Sequence, residues 1–372
     1  MPDALLVTSS FLPGSGGIES FLATLCDVLA PRVAVLAPPR RDGRALPRDL
    51  PYETIAGPPA MQWPRRKVLD AIVASAHRLG TDRILFGTPW PLGLLGPSVA
   101  ARGLRYAAIV HGAELLVPAA IPLLGRRLGN ALARAELLLP VSAFTESKVR
   151  AAVASTGQPR PPIERLYARV DLHRWHPAAG AGVRHRLGLS GAPVVLCLGR
   201  LVRRKGVHRL IDLMPRIEQT VPGAVLVVAG TGPQERALRR RAAAGRGRVL
   251  FTGRVPESDA PGLVAAADVF AFPVADRWGG LDTEGLGVVL LEAAACETPC
   301  VTGRSGGTPE AVIDGVTGYV VDARDGDALV ERIGGLLADP SRAAEMGKRA
   351  RAHVAKTFSA DLPPAPLVRW LA

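Results

Sequence analysis

The sequence is poor in lysine and in aromatic residues, and both shortages disfavour nucleic-acid binding. Only five of its 46 basic residues are lysines, so arginine carries nearly all of the positive charge. Aromatic residues make up 5% of the chain and form no basic-aromatic stripe suited to stacking bases. We therefore expect the net charge of +13 to reflect a compositional bias toward arginine together with a phosphate-bearing substrate.

Cysteine is also scarce, and the four that occur predict buried thiols. Cys26, Cys197 and Cys296 lie inside apolar runs, and the pair Cys296 and Cys300 has no histidine near it. That pattern disfavours a metal site or a disulfide and is typical of a reducing compartment. We therefore expect a cytoplasmic protein, and the cysteines give no indication of a metal or other cofactor.

Long apolar runs are missing as well. No stretch of roughly 18 uncharged apolar residues occurs, so no transmembrane helix is predicted. The first residues, MPDALLVTSS, lack the basic region of a signal peptide and are interpreted as a first strand.

What the sequence does contain is a regular alternation of strands and helices. Short valine-rich runs alternate with segments of helical spacing, which predicts parallel sheets covered on both faces. The alternation restarts after a Gly/Ala/Pro-rich segment at 176–193, which is interpreted as a linker. The predicted fold class is α/β, with two doubly wound Rossmann-like domains facing across a cleft. We place them at 1–178 and 179–356 and expect the tail, 357–372, to dock back on the first.

Doubly wound domains bind ligands beyond the carboxyl ends of their strands, so function is sought in the loops there. After the first strand, Gly14, Gly16 and Gly17 lead into a helix that is predicted to begin near Ile18. Such a turn is an anion site, although a plain tight turn remains the alternative. Glu19 stands where a dinucleotide-binding motif needs its third glycine, which disfavours a Rossmann oxidoreductase.

Two further strand ends carry polar residues. His111 follows a strand and precedes Gly112, which would let the backbone approach a ligand, although a structural histidine is the alternative. In the second domain Arg200, Arg203, Arg204 and Lys205 follow the first strand, and a cationic loop of this kind suits a diphosphate. A solvated basic loop is the alternative there.

The stretch LDTEGLGVVLLE, residues 281–292, begins and ends its apolar run with a carboxylate. Glu284 is predicted at the mouth of a helix, and Glu292 about two turns along it. Gly285 and Gly287 leave backbone N–H groups accessible at the positive helix end. Carboxylates accept hydrogen bonds from paired hydroxyls, so the two could bind two polyols of one ligand. Capping by Glu284 and a surface position for Glu292 are the alternative.

Together Arg200, Lys205, Glu284 and Glu292 resemble the retaining glycosyltransferases of family 4, which have the GT-B fold and carry a Glu-x7-Glu element. Further matches occur in the family's order: GGIE, HG, VSAFT, VVAGTGP, VLFTGRV, AAADVFAFP and GTPEAV. The stretch from Gly279 to Val312 is most similar to the actinobacterial phosphatidylinositol mannosyltransferases.

The resemblance implies a role for each matched residue. Arg200 and Lys205 would hold the donor diphosphate, Glu284 the sugar, and Glu292 the ribose. His111 would meet the sugar from the opposite domain, and these residues other than Glu292 form the implied catalytic set. The remaining donor-binding residues would be Gly253, Arg254, Val255, Gly285, Leu286, Gly287 and Val288. The acceptor-binding residues would be Gly16 and Gly17, to which we add Arg65 and Arg66.

We include Arg65 and Arg66 among the acceptor-binding residues because, with Trp63 and Lys67, they begin a predicted amphipathic helix. This combination is typical of an interfacial membrane anchor, although an ordinary helix on the sheet is the favoured alternative. Arg169 is a departure, since it stands where relatives have glycine; either the turn is reshaped or Arg169 meets an anion.

We therefore expect a metal-independent retaining glycosyltransferase. It would transfer a hexose, mannose from GDP-mannose in first place, to an anionic inositol phospholipid or related glycolipid. A peripheral position on anionic lipid at the inner face of the cell membrane would suit such an acceptor. The alternatives are a UDP- or ADP-linked donor with a soluble or polyprenyl-linked acceptor, a GT-B sugar-nucleotide epimerase, and a non-catalytic binding module.

Overall fold

The structure, a computed structural model, describes residues 1–14, 16–41 and 43–372. Within them the chain divides into two compact units. The first comprises Met1–Arg169 and Ala360–Ala372, and the second comprises Val170–Ser359. Each unit has its own buried apolar core.

The boundary between the two units lies after Arg169, whereas the sequence analysis placed it after residue 178. Residues just after Arg169 already contact the second unit, because Arg351 donates hydrogen bonds to the carbonyl oxygens of Trp175 at 3.0 Å and Leu172 at 3.4 Å. The side chain of Trp175 is also buried. A Gly/Pro-rich composition marks irregular chain, but these contacts decide the unit to which it belongs.

The first unit is built on a parallel sheet. Its strands are β1 (Ala4–Val7), β2 (Val33–Ala37), β5 (Thr54–Ala56), β6 (Arg83–Phe86), β7 (Arg105–Val110) and β8 (Leu137–Pro140), and a hairpin is formed by β3 (Arg40–Arg41) and β4 (Arg44–Ala45). Within the described residues the sheet order is β5-β2-β1-β6-β7-β8, and all neighbours pair in parallel. This is the doubly wound order in which the chain reverses direction at β1 and β6.

Helices cover both faces of this sheet. They are α1 (Gly17–Leu29), α2 (Arg66–Leu79), α3 (Gly96–Ala100), α4 (Ala113–Ala119), α5 (Pro122–Ala133) and α6 (Ala143–Ala154). In α1 the buried residues Phe21, Leu22, Leu25 and Leu29 recur at helical spacing, so one stripe faces the core. At the start of α6, Ser142 accepts a hydrogen bond from the backbone N–H of Thr145 at 3.0 Å, which caps the helix.

The second unit repeats the architecture. Its strands are β9 (Val194–Leu198), β10 (Val225–Ala229), β11 (Val249–Gly253), β12 (Val269–Phe272), β13 (Cys300–Gly303) and β14 (Gly318–Val321). Within the part of the chain that the structure describes, they form a parallel sheet in the order β11-β10-β9-β12-β13-β14. The predicted class of two doubly wound α/β domains is confirmed.

The helices of the second unit flank this sheet. They are α7 (Val183–Arg186), α8 (Val207–Thr220), α9 (Glu235–Ala244), α10 (Ala260–Ala265), α11 (Val288–Ala295), α12 (Thr308–Ala311), α13 (Gly326–Ala338) and α14 (Pro340–Thr357). Short 3-10 turns at Arg203–Lys205 and Trp278–Gly280 lie in the loops after β9 and β12. These two neighbouring strands are the switch point of the sheet, where a ligand site is expected.

The chain ends in α15 (Ala365–Leu371), which contacts the first unit. Trp370 donates its indole N–H to Glu136 Oε2 at 3.0 Å, and Arg32 donates to the carbonyl oxygen of Leu371 at 3.2 Å. Leu367 is fully buried, so the contact is apolar as well as polar.

The predicted buried thiols are confirmed. Cys26, Cys197, Cys296 and Cys300 are all free and buried. Among the described residues no helix is long and apolar enough to cross a membrane.

Candidate active site

Glu284 lies at the switch point of the second unit and is bound by two cations. Lys205 Nζ donates to Glu284 Oε2 at 2.8 Å, and Arg204 Nη1 donates to the same oxygen. Both bonds go to Oε2. Within the described chain no donor is assigned to Oε1, so one carboxylate oxygen of Glu284 is available to a ligand hydroxyl.

The backbone of Glu284 is fixed by the loop after β13. Its N–H donates to Ser305 Oγ at 3.1 Å, and its carbonyl oxygen accepts from the N–H of Gly307 at 3.0 Å. Ser305 and Thr283 both donate their hydroxyls to Asp276 Oδ1. This network positions Glu284 from two loops of the sheet edge, because β12 and β13 end side by side.

The two cations keep Glu284 ionised. Burial works to raise the pKa of Glu284, but the adjacent charges of Lys205 and Arg204 outweigh it and hold the pKa below its usual value. Burial also lowers the pKa of Lys205, although the charge of Glu284 opposes that shift. Arg204 makes a second ion pair through Nε, with Asp282 Oδ1 at 2.9 Å. The site is therefore a cationic loop held by carboxylates.

Helix α11 begins directly after this group. Gly287 is its N-cap in the left-handed conformation, with φ of 87°. Because Val288 is the first helical residue, Glu284 lies before the helix as predicted. Gly285 and Leu286 lead from Glu284 to the cap, and Val288 begins the first turn. The free N–H groups of that first turn make this end of α11 positive.

Glu292 is the fifth residue of α11, so it lies just over one turn from the helix start and not two. Burial raises the pKa of its carboxyl to about 7, with Arg174 lowering it and Glu257 raising it. Its side chain is partly exposed. A carboxylate that ionises near neutrality on a helix wall is a candidate polar contact for a ligand.

The remaining predicted donor residues follow strands of the same unit. Arg200 is exposed two residues after β9. Gly253 ends β11 with φ of 69°, and its carbonyl oxygen accepts from Gly230 N–H at 2.7 Å. Arg254 and Val255 continue that loop. Arg200, Lys205, Glu284 and the start of α11 thus lie at strand ends β9 and β12, while Gly253–Val255 follow the edge strand β11.

His111 lies in the first unit, directly after β7, and has a defined tautomer. Its Nε2 donates to the carbonyl oxygen of Gly87 at 2.9 Å, so a neutral ring presents Nδ1 as an acceptor. Burial lowers the pKa of His111, although Glu114, the Gly87 bond and Glu19 oppose this. Phe21 packs edge to face on the ring with centroids 5.0 Å apart. The imidazole is therefore held neutral and in one orientation.

The predicted glycine loop precedes α1 in the first unit. Gly16 is the N-cap and Gly17 the first helical residue, whereas Ser15 lies outside the described residues. A β-carbon on Gly16 would lie 2.6 Å from Glu19 Oε2, so an internal carboxylate occupies that space. Arg41 balances it through an ion pair of 2.8 Å. Beside Gly17 the space is open, since no atom lies within 4 Å of a β-carbon built there.

Arg65 and Arg66 are exposed at the start of α2, with Arg65 as N-cap. The apolar face of α2 is buried in the core of the first unit through Val68, Leu69 and Ile72. The helix itself is therefore an ordinary amphipathic helix on its sheet, and only its entry segment reaches the surface. Trp63 in that segment is 53% exposed.

Arg169 donates to the carbonyl oxygen of Pro363 at 3.0 Å, so its guanidinium holds the C-terminal segment. Among the described residues no group of three or more His, Cys, Asp or Glu side chains could hold a metal ion.

Comparison with known proteins places the chain in a family. Residues 184–353 match the glycosyl transferases of group 1. A GDP-mannose-dependent alpha-(1-6)-phosphatidylinositol monomannoside mannosyltransferase of Mycolicibacterium smegmatis is 39% identical over 93% of this chain and 92% of its own. The chain belongs to the group 1 glycosyl transferases. A Corynebacterium glutamicum GDP-mannose-dependent monoacylated alpha-(1-6)-phosphatidylinositol monomannoside mannosyltransferase is 36% identical over 96% of this chain and 94% of its own.

Solved structures identify the fold of this glycosyltransferase. Anabaena HepE in complex with UDP-glucose superposes with a TM-score of 0.81 at 23% identity, covering 99% of both chains. The GT-B fold predicted from the sequence is therefore confirmed.

The sequence analysis named Arg204 among the cations of the loop after β9, but it did not predict that Arg204 pairs with Glu284 and Asp282. Spacing does not tell which of several adjacent cations turns inward. Asp282, Asp276 and Ser305 carried no motif signal at all. The one available hint was the run of adjacent cations beside a Glu-rich loop, because buried charges are found paired.

Proposed function

We propose that this glycosyltransferase transfers mannose from GDP-mannose to a phosphatidylinositol mannoside. One observation carries the proposal: relatives that match over more than nine tenths of their length are named for that donor and that acceptor class. The site agrees with a nucleotide-sugar donor, because cations, a helix N-terminus and a carboxylate with one available oxygen meet at one sheet edge.

The donor is assigned to residues of the second unit. Arg200, with Lys205 and Arg204, neutralises the diphosphate. Glu284 Oε1 accepts a hydrogen bond from a hydroxyl of the sugar, beside the backbone of Gly285, Leu286, Gly287 and Val288. Glu292 accepts from the ribose, and the loop Gly253–Val255 contacts the base. Each charge-assisted bond contributes about 1.5–3 kcal/mol.

The proposed reaction retains the configuration of the sugar. The bond from the anomeric carbon to the donor phosphate breaks, and an acceptor hydroxyl oxygen bonds to the same face of that carbon. The proton of the hydroxyl passes to the leaving phosphate oxygen. His111 contacts the sugar through its neutral ring, and Gly16 and Gly17 adjoin the acceptor.

We propose that cationic side chains, rather than a divalent metal, stabilise the leaving diphosphate. Arg204 and Lys205 are already preorganised around Glu284 by ion pairs. Transfer should therefore proceed at full rate in EDTA. A requirement for added magnesium or manganese would refute this part of the proposal.

The donor assignment is tested by calorimetric titration of the full chain with GDP, UDP and ADP. GDP should bind at least tenfold more tightly than the other two, a difference of about 1.4 kcal/mol. Tighter binding of UDP or ADP would contradict GDP-mannose as the donor while leaving the family unchanged.

We also propose that the first unit binds anionic membranes. Trp63 is exposed and packs edge to face against Trp90, with ring centroids 6.4 Å apart. Ile121 and Leu123, at the start of α5, are 52% and 81% exposed. Trp63 precedes Arg65 and Arg66, and α5 carries Arg126 and Arg127. Exposed apolar side chains beside arginines suit insertion at a lipid headgroup layer.

Cosedimentation with vesicles of phosphatidylcholine and phosphatidylinositol tests this surface. The double variant Ile121→Ser and Leu123→Ser should lose vesicle binding. The matched pair Ile313→Ser and Val316→Ser, exposed on the second unit, should keep it. Equal binding by both pairs, or equal binding to pure phosphatidylcholine, would refute membrane recruitment by the start of α5.

A further inference from the structure

A second basic site lies on the second unit, in a cavity of about 560 Å³. It opens between the start of α8, the 3-10 turn Trp278–Gly280 and the segment before α13. The side chains that matter are Arg203, His208, Arg209, Arg277, Trp278 and Arg324. Arg203 belongs to the cationic loop in which the sequence predicted a diphosphate site, and the other five are not among the residues assigned to the nucleotide sugar.

Three of the four arginines of this cavity lack a carboxylate partner within 4.0 Å among the described residues, and the fourth, Arg277, is paired with Asp282. Among the described residues, neither Arg203 nor Arg209 has an ion pair within 4.0 Å. Burial and the charges of Arg203 and Arg324 lower the pKa of Arg209, with Asp322 opposing them. Within the part of the chain that the structure describes, the guanidinium of Arg324 has a single hydrogen bond, to the carbonyl oxygen of Asp276 at 3.4 Å.

Two carboxylates contribute negative charge here: Asp276, which lines the cavity, and Asp282, which is shared between Arg204 and Arg277. Asp276 Oδ1 accepts the hydroxyls of Thr283 and Ser305. Asp282 binds Arg204 through Oδ1, and its Oδ2 lies 3.6 Å from Arg277. His208 does not add charge, because burial and the neighbouring arginines lower its pKa to about 4. Four arginines thus face the carboxylate of Asp276 and a share of Asp282, which leaves a surplus of positive charge in the cavity.

Trp278 at this cavity is strained and exposed at once. Its φ is +50°, in the left-handed region that bulky residues avoid, and 66% of its surface is exposed. The guanidinium of Arg277 lies 4.7 Å from the ring centroid. Packing within the protein does not account for a large aromatic ring held there, and strain of this kind is found where a ligand is bound.

We infer that this cavity binds the phosphate group of a second ligand, a phosphorylated polyol, separate from the nucleotide sugar. The arginines would donate paired N–H groups to the phosphate oxygens. The exposed face of Trp278 would cover the ring of the polyol. The inference goes beyond the proposed function, because it does not depend on which nucleotide sugar is the donor.

Calorimetry on the full chain tests this site. The protein is first saturated with the nucleoside diphosphate that binds it best, so that the donor site is occupied. It is then titrated with myo-inositol 1-phosphate and, separately, with inorganic phosphate. The double variant Arg209→Gln and Arg324→Gln should bind both probes at least about tenfold more weakly than the wild type.

A matched control removes the same charge from the same unit. Arg236 and Arg240 are exposed on α9, and their joint change to glutamine should leave the affinity unchanged. Trp278→Ala should weaken myo-inositol 1-phosphate but not inorganic phosphate. The site is refuted if the saturated protein binds neither probe, or if both double variants bind equally well.

Two further measurements distinguish a lipid headgroup from a free phosphorylated polyol as the ligand. Vesicles of equimolar phosphatidylcholine and phosphatidylinositol should bind the wild type more strongly than the cavity variant if the ligand is a lipid headgroup. Soluble myo-inositol 1-phosphate should then displace them. Binding of the soluble probe without any such vesicle difference supports a free phosphorylated polyol in the same cavity.

Discussion

Glu284 divides its two carboxylate oxygens between the protein and the ligand. Oε2 is bound by Arg204 and Lys205, and Oε1 is available to a hydroxyl. Glu284→Gln removes the charge that balances two largely buried cations and weakens the proposed bond to the sugar. We expect kcat/KM for sugar transfer to fall about 100-fold, equivalent to about 3 kcal/mol.

The control for this change is Glu331→Gln, on the exposed face of α13. It alters the same formal charge away from the site and should leave kcat/KM within about twofold of wild type. Circular dichroism shows whether either variant has lost its fold. A folded Glu284→Gln protein with wild-type turnover would show that the assignment of Glu284 is wrong.

Glu292 gives a pH-dependent prediction. Its folded pKa of about 7 lies above that of an unfolded chain, so the folded protein binds this proton more tightly. The stabilisation is fully present below about pH 4 and is lost as the pH rises through about 7. Glu292→Gln stays neutral and should exceed wild type in stability by about 1–3 kcal/mol near pH 8, with no difference near pH 4.

Thermal unfolding at the two pH values checks this difference. The wild type and Glu292→Gln should have the same Tm in acid and separate as the pH rises. A separation that is the same at both pH values would mean that Glu292 does not titrate near neutrality. Glu331→Gln again serves as the control, since Glu331 is exposed.

At the scale of elements, the loop after β13 must approach Glu284 closely. A β-carbon on Gly306 would lie 1.8 Å from the carbonyl oxygen of Glu284, and the φ of Gly306 is +51°. Gly306→Ala should therefore displace the loop before α11. We expect it to cost about 3 kcal/mol in the free energy of unfolding and to weaken donor binding.

Gly315→Ala separates the cost of a positive φ from the cost of the close approach to Glu284. Gly315 also has a positive φ, +73°, but no atom lies within 4 Å of its β-carbon position. The Gly315→Ala variant should lose about 1 kcal/mol of the free energy of unfolding, from backbone strain alone, and should bind the donor normally. Equal losses of stability in both variants, measured by denaturant unfolding, would show that close approach to Glu284 is unimportant.

Elements with a strong period were predictable from the sequence, and interrupted ones were not. The valine-rich runs VVLCLGR and AVLVVAG predict strands and form β9 and β10, and the helical pattern at 341–356 predicts a helix and forms α14. Helices α4 and α8 are harder to predict from the sequence, because an internal proline, Pro118 or Pro215, interrupts the helical pattern of each. The short edge strand β5 has no alternation long enough to detect.

The site shows the same division. Glu284, Glu292 and Lys205 could be proposed from the sequence because they belong to motifs. The pairing of Arg204 with Asp282 could not, because it depends on how two loops from β9 and β12 meet. Spacing along the chain does not report contacts between residues 78 positions apart.

At the scale of the whole molecule, two separate cores predict separable effects. Leu367 in α15 is fully buried in the first unit. Leu367→Ala should lower the free energy of unfolding of that unit by about 3 kcal/mol. GDP affinity should be unchanged, because the proposed nucleotide contacts are in the second unit. Calorimetry that finds weaker GDP binding would contradict that assignment.

The central claim is that the protein moves mannose from GDP-mannose to a phosphatidylinositol mannoside. In the direct measurement, the purified full chain is incubated with GDP-mannose and phosphatidylinositol monomannoside in mixed vesicles. The mass of the lipid is then measured by mass spectrometry. We expect a lipid heavier by one hexose, formed with GDP-mannose and not with UDP-glucose. An unchanged lipid, or equal transfer from UDP-glucose, would contradict it.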